Sequence, residues 1–199
     1  NQNTLSDKSF LVVDRERVVP AFFMSIFSSV ISKKKFRPIL IGDFNKKNEI
    51  NYEIFKSFGF QNIKDIFNKN YLILNPFITL KSIKYFISGV YFLKIKGFSW
   101  FINNFKIKNI KIGDLIFDTF NQSGIEDRRL NFHKLKILFV AIFRTIKISK
   151  LIKDNNVKVI IVPTQTYCYN SGITCRLGLT KKIKEFTIHD NNYLETHTF

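Results

Sequence analysis

The sequence predicts an α/β fold, namely a Rossmann-like parallel sheet with helices on both faces. Three short runs rich in Val, Ile and Leu lack a polar face and are typical of buried strands, at Ser9–Asp14, Arg37–Asp43 and Val157–Gln165. Stretches with apolar residues at helical spacing separate these runs, and such alternation favours a parallel sheet. The 199 residues suffice to bury a substantial core, so we predict a single Rossmann-like domain over residues 1–199.

The remaining elements follow from apolar periodicity and from helix start and stop signals. Pro20 suits the first turn of a helix, and Lys33–Lys35 suit its carboxyl end, where the helix dipole favours cations. A short helix over Asn48–Phe58 ends at Gly59. The other predicted segments are strands at Gln61–Ile66 and Tyr71–Leu74, a long helical region from Pro76 to about Asn104 broken near Gly97, a long helix over Asp127–Asn155, a helix from about Ser171 to Leu179, and a strand over Lys184–His189.

The basic composition raises two classes of partner. A net charge of +17 and a pI near 9.9 point to nucleic acid or to an anionic membrane. However, AT-rich codons encode the over-represented Lys, Asn, Ile and Phe, so base composition alone can enrich surface lysine. Lysine also outnumbers arginine, whereas bidentate recognition of phosphates and bases favours arginine. Dedicated nucleic-acid binding is therefore not expected, and a non-catalytic basic α/β module that binds nucleic acid or an anionic membrane surface remains the alternative.

Several familiar signatures do not occur. No Gly-x-Gly-x-x-Gly follows the first strand and no P-loop is present, so we predict no cofactor. Cys168 and Cys175 lack the spacing of a zinc site or disulfide framework, and the histidines form no cluster, so we predict no metal and a cytoplasmic compartment. Lysines interrupt the most apolar stretches, Phe77–Phe105 and Leu130–Ile152, which argues against a transmembrane helix.

Loops at the carboxyl ends of parallel strands are the usual place for ligands. Arg15, after the first strand, could bind a phosphate or carboxylate, or belong to a solvated loop. The segment Pro163–Arg176 is rich in hydroxyl, amide and aromatic groups, which suit the hydroxyls and C–H faces of sugars. Asn170 could equally cap the next helix and Tyr167 could enter the core, so both interpretations stay open.

The segment Lys111–Phe120, KIGDLIFDTF, contains two acids four residues apart, Asp114 and Asp118. On a helix they would share a face and could position a substrate hydroxyl or act as a base. Alternatively, Asp114 caps a helix that starts after Gly113, and Asp118 pairs with a lysine. The local pattern alone favours this structural interpretation.

A resemblance connects these segments. KIGDLIFDTF is followed by a long helix, the strand VKVIIVP and the loop Tyr169–Arg176, which contains Gly-Ile-x-x-Arg. This order resembles bacterial surface-polysaccharide (capsule or O-antigen) biosynthesis proteins of glycosyltransferase type. Tyr167 and Tyr169 both lie near the aromatic position of their loop. The basic step that usually follows the first motif is replaced by Asn121–Gly124, so no anion contact is expected from there.

The resemblance implies the N-terminal, acceptor-side domain of a two-domain GT-B glycosyltransferase. A sugar nucleotide would bind mainly in a C-terminal domain beyond this chain, and the sugar would pass, without metal, to a glycan or lipid-linked glycan acceptor. Such acceptors imply work at the cytoplasmic face of the inner membrane. Asp114 and Asp118 are the implied catalytic or orienting acids. The implied substrate-binding residues are Tyr167, Tyr169, Asn170, Gly172 and Arg176, and the loop after the first strand adds Arg15 as a further candidate.

Activity at a membrane in turn predicts a protein surface that contacts an anionic bilayer reversibly. The aromatic-rich region Phe77–Phe105 is the candidate, because exposed basic residues beside aromatic rings suit such contact. The residues that motivate this expectation are Phe92, Phe98, Trp100 and Phe101, alongside Lys94 and Lys96.

Overall fold

The computed structural model describes residues 8–13, 18–33, 36–42, 49–60, 63–65, 75–122, 130–163, 171–188 and 194–197. The strands are β1 (Ser9–Val13), β2 (Arg37–Gly42), β3 (Ile63–Asp65), β4 (Lys106–Ile107), β5 (Ile110–Lys111), β6 (Val157–Val162), β7 (Lys184–Ile188) and β8 (Leu194–His197). The helices are α1 (Val18–Ser32), α2 (Glu49–Ser57), α3 (Pro76–Ile95), α4 (Gly97–Asn104), α5 (Gly113–Gln122), α6 (Phe132–Asp154) and α7 (Ile173–Thr180).

The central sheet has the strand order β3-β2-β1-β6-β7-β8. The first five of these strands are parallel, and β8 pairs antiparallel with β7 at the edge. Counted by their order of appearance within the sheet, the strands run 3-2-1-4-5-6, which is the order of the Rossmann fold. The predicted α/β, Rossmann-like fold is therefore confirmed.

Helices cover both faces of this sheet. Leu11 and Val13 point to one face and share a core cluster with residues of α3 to α7. Phe10 and Val12 point to the other face and pack with residues of α1 and α2. All four side chains are completely buried. The strand is therefore apolar on both sides, as expected for a sheet that helices cover on both faces.

The long helical region divides as the sequence predicts. α3 ends at Ile95 and α4 begins at Gly97, whose φ of +78° lies in the left-handed region that glycine adopts without strain. The predicted start of α6 at Asp127 is wrong, because α6 begins at Phe132. Asn131 caps it there, with Oδ1 accepting from the Lys134 N–H at 2.9 Å. The predicted strand Tyr71–Leu74 lies outside the described residues.

Candidate functional site

The strand order reverses between β1 and β6, and this switch point is where Rossmann-like sheets bind ligands. The loops that follow these two strands hold four of the predicted substrate-binding residues, which all lie outside the described part of the chain: Arg15, Tyr167, Tyr169 and Asn170. Gly172 and Arg176 are described: Gly172 is the N-cap of α7, and Arg176 lies within that helix.

Arg176 and Asp114 form a bidentate ion pair. Arg176 Nη2 donates to Asp114 Oδ2 at 2.9 Å, and Nη1 donates to Oδ1 at 3.3 Å. Nη1 also donates to the Lys111 carbonyl oxygen at 3.1 Å. The two partners are 62 residues apart in the sequence, and each comes from one of the two segments that carry the resemblance. The fold therefore joins those segments directly, through the strongest geometry available to a guanidinium and a carboxylate.

This geometry affects what Asp114 can do chemically. Both of its oxygens accept from Arg176, and its place in the first turn of α5 is favourable for a negative charge. Because accepting a proton would weaken the ion pair, a carboxylate held in this way is suited to orienting the guanidinium. The side chains of Arg176 and Asp114 remain 29% and 30% exposed, so solvent or a ligand can reach the pair.

Asp118 lies one helical turn beyond Asp114 on α5, on the same side of the helix, as predicted. Its side chain is exposed. Within the described part of the chain it has no hydrogen bond or ion pair, so no lysine is seen to pair with it. Of the two acids, Asp118 is thus the more exposed one, and no described side chain pairs with its carboxylate.

Gly113 has a packing role that the sequence did not indicate. A Cβ at this position would overlap the Phe101 carbonyl oxygen and lie 3.2 Å from the Ile102 carbonyl oxygen. The backbone N–H groups of Ile112 and Gly113 donate to the Phe105 carbonyl oxygen at 3.1 and 3.3 Å. The glycine allows α5 to begin directly against the end of α4, and this contact fixes where Asp114 lies.

Gly172 does not need the conformational freedom of glycine. Its backbone is helical, with φ −59° and ψ −44°, and it occupies the N-cap position of α7. No side chain caps the helix from this position. The residue is buried, so any role in binding would come from its backbone N–H at the helix start.

A buried carboxyl group on the inner side of α7 escaped the sequence analysis. Glu185 on β7 is completely buried, and it faces Cys175 on α7. Burial, and then the nearby Glu185 carboxyl, raise the pKa of the Cys175 thiol. A Cβ on Gly178 would lie 3.0 Å from Glu185 Oε2, so this glycine leaves room for the carboxyl group. In the sequence, the indication of this buried group was an acidic residue, Glu185, within a segment that otherwise has the pattern of a strand.

We expect Cys175 to be unreactive toward thiol reagents in the folded protein, because the thiolate is the reactive form. In a Cys168→Ser background, Ellman's reagent at pH 8 should label Cys175 only after unfolding in urea. The raised pKa keeps the folded thiol protonated while the unfolded thiol ionises near its ordinary pKa of 9.0, so stability from this group is full below pH 9 and falls above it. Rapid labelling of the folded protein would contradict this prediction.

No family model, curated protein or solved structure matches this chain. Across the described ranges, no group of three or more His, Cys, Asp or Glu side chains could hold a metal ion. None of the described helices combines the length and the apolar character needed to cross a membrane.

Proposed function

We propose that this chain is the acceptor-side, Rossmann-like part of a glycosyltransferase of surface-polysaccharide biosynthesis. It would act in the cytoplasm, at the inner face of the membrane, on a glycan or lipid-linked glycan. The observation that most supports the proposal is the Asp114–Arg176 ion pair, because it unites the two segments that resemble these enzymes. The Rossmann strand order supports it further by bringing the loop after β6 to a switch point.

In the proposed reaction, an acceptor hydroxyl attacks the anomeric carbon of a nucleotide-bound sugar. A C–O bond to the acceptor forms, the bond to the donor phosphate breaks, and the nucleotide leaves with the bonding electrons. The hydroxyl proton passes to a base, for which the exposed Asp118 carboxylate is the candidate. Arg176, oriented by Asp114, would contact the acceptor or the departing anion. The donor would bind in a C-terminal domain, and no metal takes part.

The side chains of the loop after β6 have the chemistry to bind a sugar. Tyr167 and Tyr169 offer ring faces for C–H groups, and Asn170 offers an amide for hydroxyls. Arg15, after β1, would reach the same switch point from the neighbouring strand. These roles are proposed from residue type and from the positions of β1 and β6 in the sheet.

We expect Asp118→Asn to lower the rate of sugar transfer by about a hundredfold, because it removes a proton acceptor while keeping the size of the side chain. The measurement is glycan extension by the complete gene product with a nucleotide-sugar donor. The matched control is Glu53→Gln, which neutralises an exposed acid on α2, on the other face of the sheet. The control should retain full activity, and both variants should unfold at the same urea concentration as the unsubstituted protein.

Undiminished transfer by a folded Asp118→Asn variant would remove Asp118 from the reaction. The alternative, a non-catalytic basic α/β module for nucleic acid or an anionic membrane surface, predicts a different pattern. Its binding would weaken steeply with salt, and it would show no response to sugar nucleotides.

A further inference from the structure

Helix α3 has an apolar outer face that the described structure leaves exposed. Its buried side carries Ile78, Ser82, Gly89 and Leu93 and packs toward α6. The opposite side forms what we call the α3 ridge, an arc of about 120° along about 27 Å of helix. The apolar members of the ridge, with their exposed fractions, are Phe77 (71%), Leu80 (67%), Ile83 (41%), Ile87 (63%), Tyr91 (56%) and Ile95 (63%).

This ridge differs from the surface expected from the sequence. Of the aromatic residues expected to face a membrane, Phe101 is completely buried. Phe92 packs on Trp100, with ring centroids 4.5 Å apart, and Phe98 packs against the rings of α5. An outer helix face in contact with water is normally polar. A row of exposed apolar side chains this long is typical of an interaction surface.

A lysine-lined cavity of about 310 Å³ opens at the amino end of the ridge. Phe77 belongs to both, so the cavity and the ridge form one continuous surface. The isoleucines that line the cavity come from α3, the β4–β5 hairpin and α6, namely Ile78, Ile107, Ile110 and Ile146. Its charged lining residues are five lysines and one acid, namely Lys81, Lys108, Lys150, Lys153, Lys181 and Asp154.

The charges along the ridge indicate which kind of partner it can bind. Lys84 and Lys94 are exposed within the same arc as the apolar side chains, so the ridge carries only positive charge. A second copy would bring the same lysines against them, in a chain whose net charge is +17. An anionic bilayer fits both features, because a helix lying in its interface buries apolar side chains while lysine stems extend to the headgroups.

We propose that the α3 ridge binds the surface of an anionic phospholipid bilayer and that the lysine-lined cavity takes a lipid headgroup phosphate. Leu80 and Ile87 enter the acyl boundary, and Lys108 and Lys150 contact the phosphate. The helix lies along the membrane plane. The proposal is independent of sugar transfer, because neither the ridge nor the cavity includes a residue assigned to that reaction.

Vesicle flotation of the 199-residue chain tests the proposal. The chain should float with vesicles of phosphatidylcholine mixed with phosphatidylglycerol, and not with phosphatidylcholine alone. The double variant Leu80→Glu/Ile87→Glu should bind the mixed vesicles about tenfold more weakly or worse, because it places charges in the acyl boundary. The matched control is Val30→Glu/Ile50→Glu, which alters two exposed residues of α1 and α2 and should bind normally.

A second pair of variants tests the cavity. Lys108 and Lys182 both have positive φ, +55° and +53°, so glycine fits either position without backbone strain. Only Lys108 lines the cavity. Lys108→Gly should weaken vesicle binding about fivefold without loss of stability, and Lys182→Gly should weaken it less.

Three outcomes would overturn the proposal. The first is equal flotation with neutral and anionic vesicles, and the second is normal binding by a folded Leu80→Glu/Ile87→Glu variant. The third is a chain that stays soluble with both kinds of vesicle. In that case, sedimentation velocity would identify the partner. Dimers of the unsubstituted chain that are absent from the double variant would show that the ridge binds a second copy, and monomers would indicate an acidic protein as its partner.

Discussion

Replacing Gly113 by alanine is expected to lower the free energy of unfolding by about 3 kcal/mol. The new methyl group would overlap the backbone carbonyl oxygen of Phe101, and backbone in the last turn of a packed helix cannot move aside as a flexible side chain can. Either α5 shifts away from α4 or the hydrogen bonds to the Phe105 carbonyl oxygen break. Urea unfolding followed by circular dichroism measures the loss.

Gly89→Ala provides the matched comparison, because Gly89 is also a buried helical glycine. A Cβ there would meet only side-chain atoms, at 3.2 Å from the Phe105 ring and 3.4 Å from Leu138 Cδ1. Those side chains can adjust, and alanine favours the helix by about 1 kcal/mol. We therefore expect Gly89→Ala to change stability by less than about 1 kcal/mol. Similar losses for both variants would contradict the packing assigned to Gly113.

Breaking the Asp114–Arg176 pair is expected to cost about 2 kcal/mol for either single substitution, Asp114→Asn or Arg176→Met. The bidentate bonds are charge-assisted and the pair is less than a third exposed, so water replaces it only in part. The double variant should lose less than the two single losses together. A coupling free energy of about 1 kcal/mol from urea unfolding would express this interaction.

The exposed pair Glu53–Lys56 is the control for this cycle. Its charged atoms lie 3.9 Å apart and both side chains are 60% exposed, so solvent screens the interaction. The cycle of Glu53→Gln and Lys56→Met should show a coupling free energy close to zero. A coupling at Asp114–Arg176 no larger than at Glu53–Lys56 would mean that the pair does not hold α5 and α7 together.

Most of the sheet could be predicted because its strands are apolar on both sides and helices separate them. The β4–β5 hairpin could not, since its two-residue strands give no periodic signal. Its turn also places Lys108, not glycine, at a positive φ. The exposure of the α3 ridge could not be predicted either, because α3 is apolar on both sides and periodicity alone cannot tell which side packs against the core.

The candidate site was predictable in part. Asp114 and Arg176 were both identified as site residues from their motifs, but their contact depends on how α5 and α7 pack, which no local pattern encodes. The need for glycine at position 113 also could not be predicted without the fold. The carbonyl oxygen that a Cβ there would overlap belongs to Phe101, on another helix. Arg15 and the loop after β6 remain predictions from residue type and strand order.

The most direct test of the proposed sugar transfer is acceptor-dependent release of nucleotide by the complete gene product. The protein would be incubated with a panel of nucleotide sugars, with and without lipid-linked glycan acceptor, and free nucleotide would be quantified. We expect at least one donor to release nucleotide faster when acceptor is present, and Asp118→Asn to remove this increase. No acceptor-dependent release from any donor, by a folded protein that still binds anionic vesicles, would contradict the proposed sugar transfer.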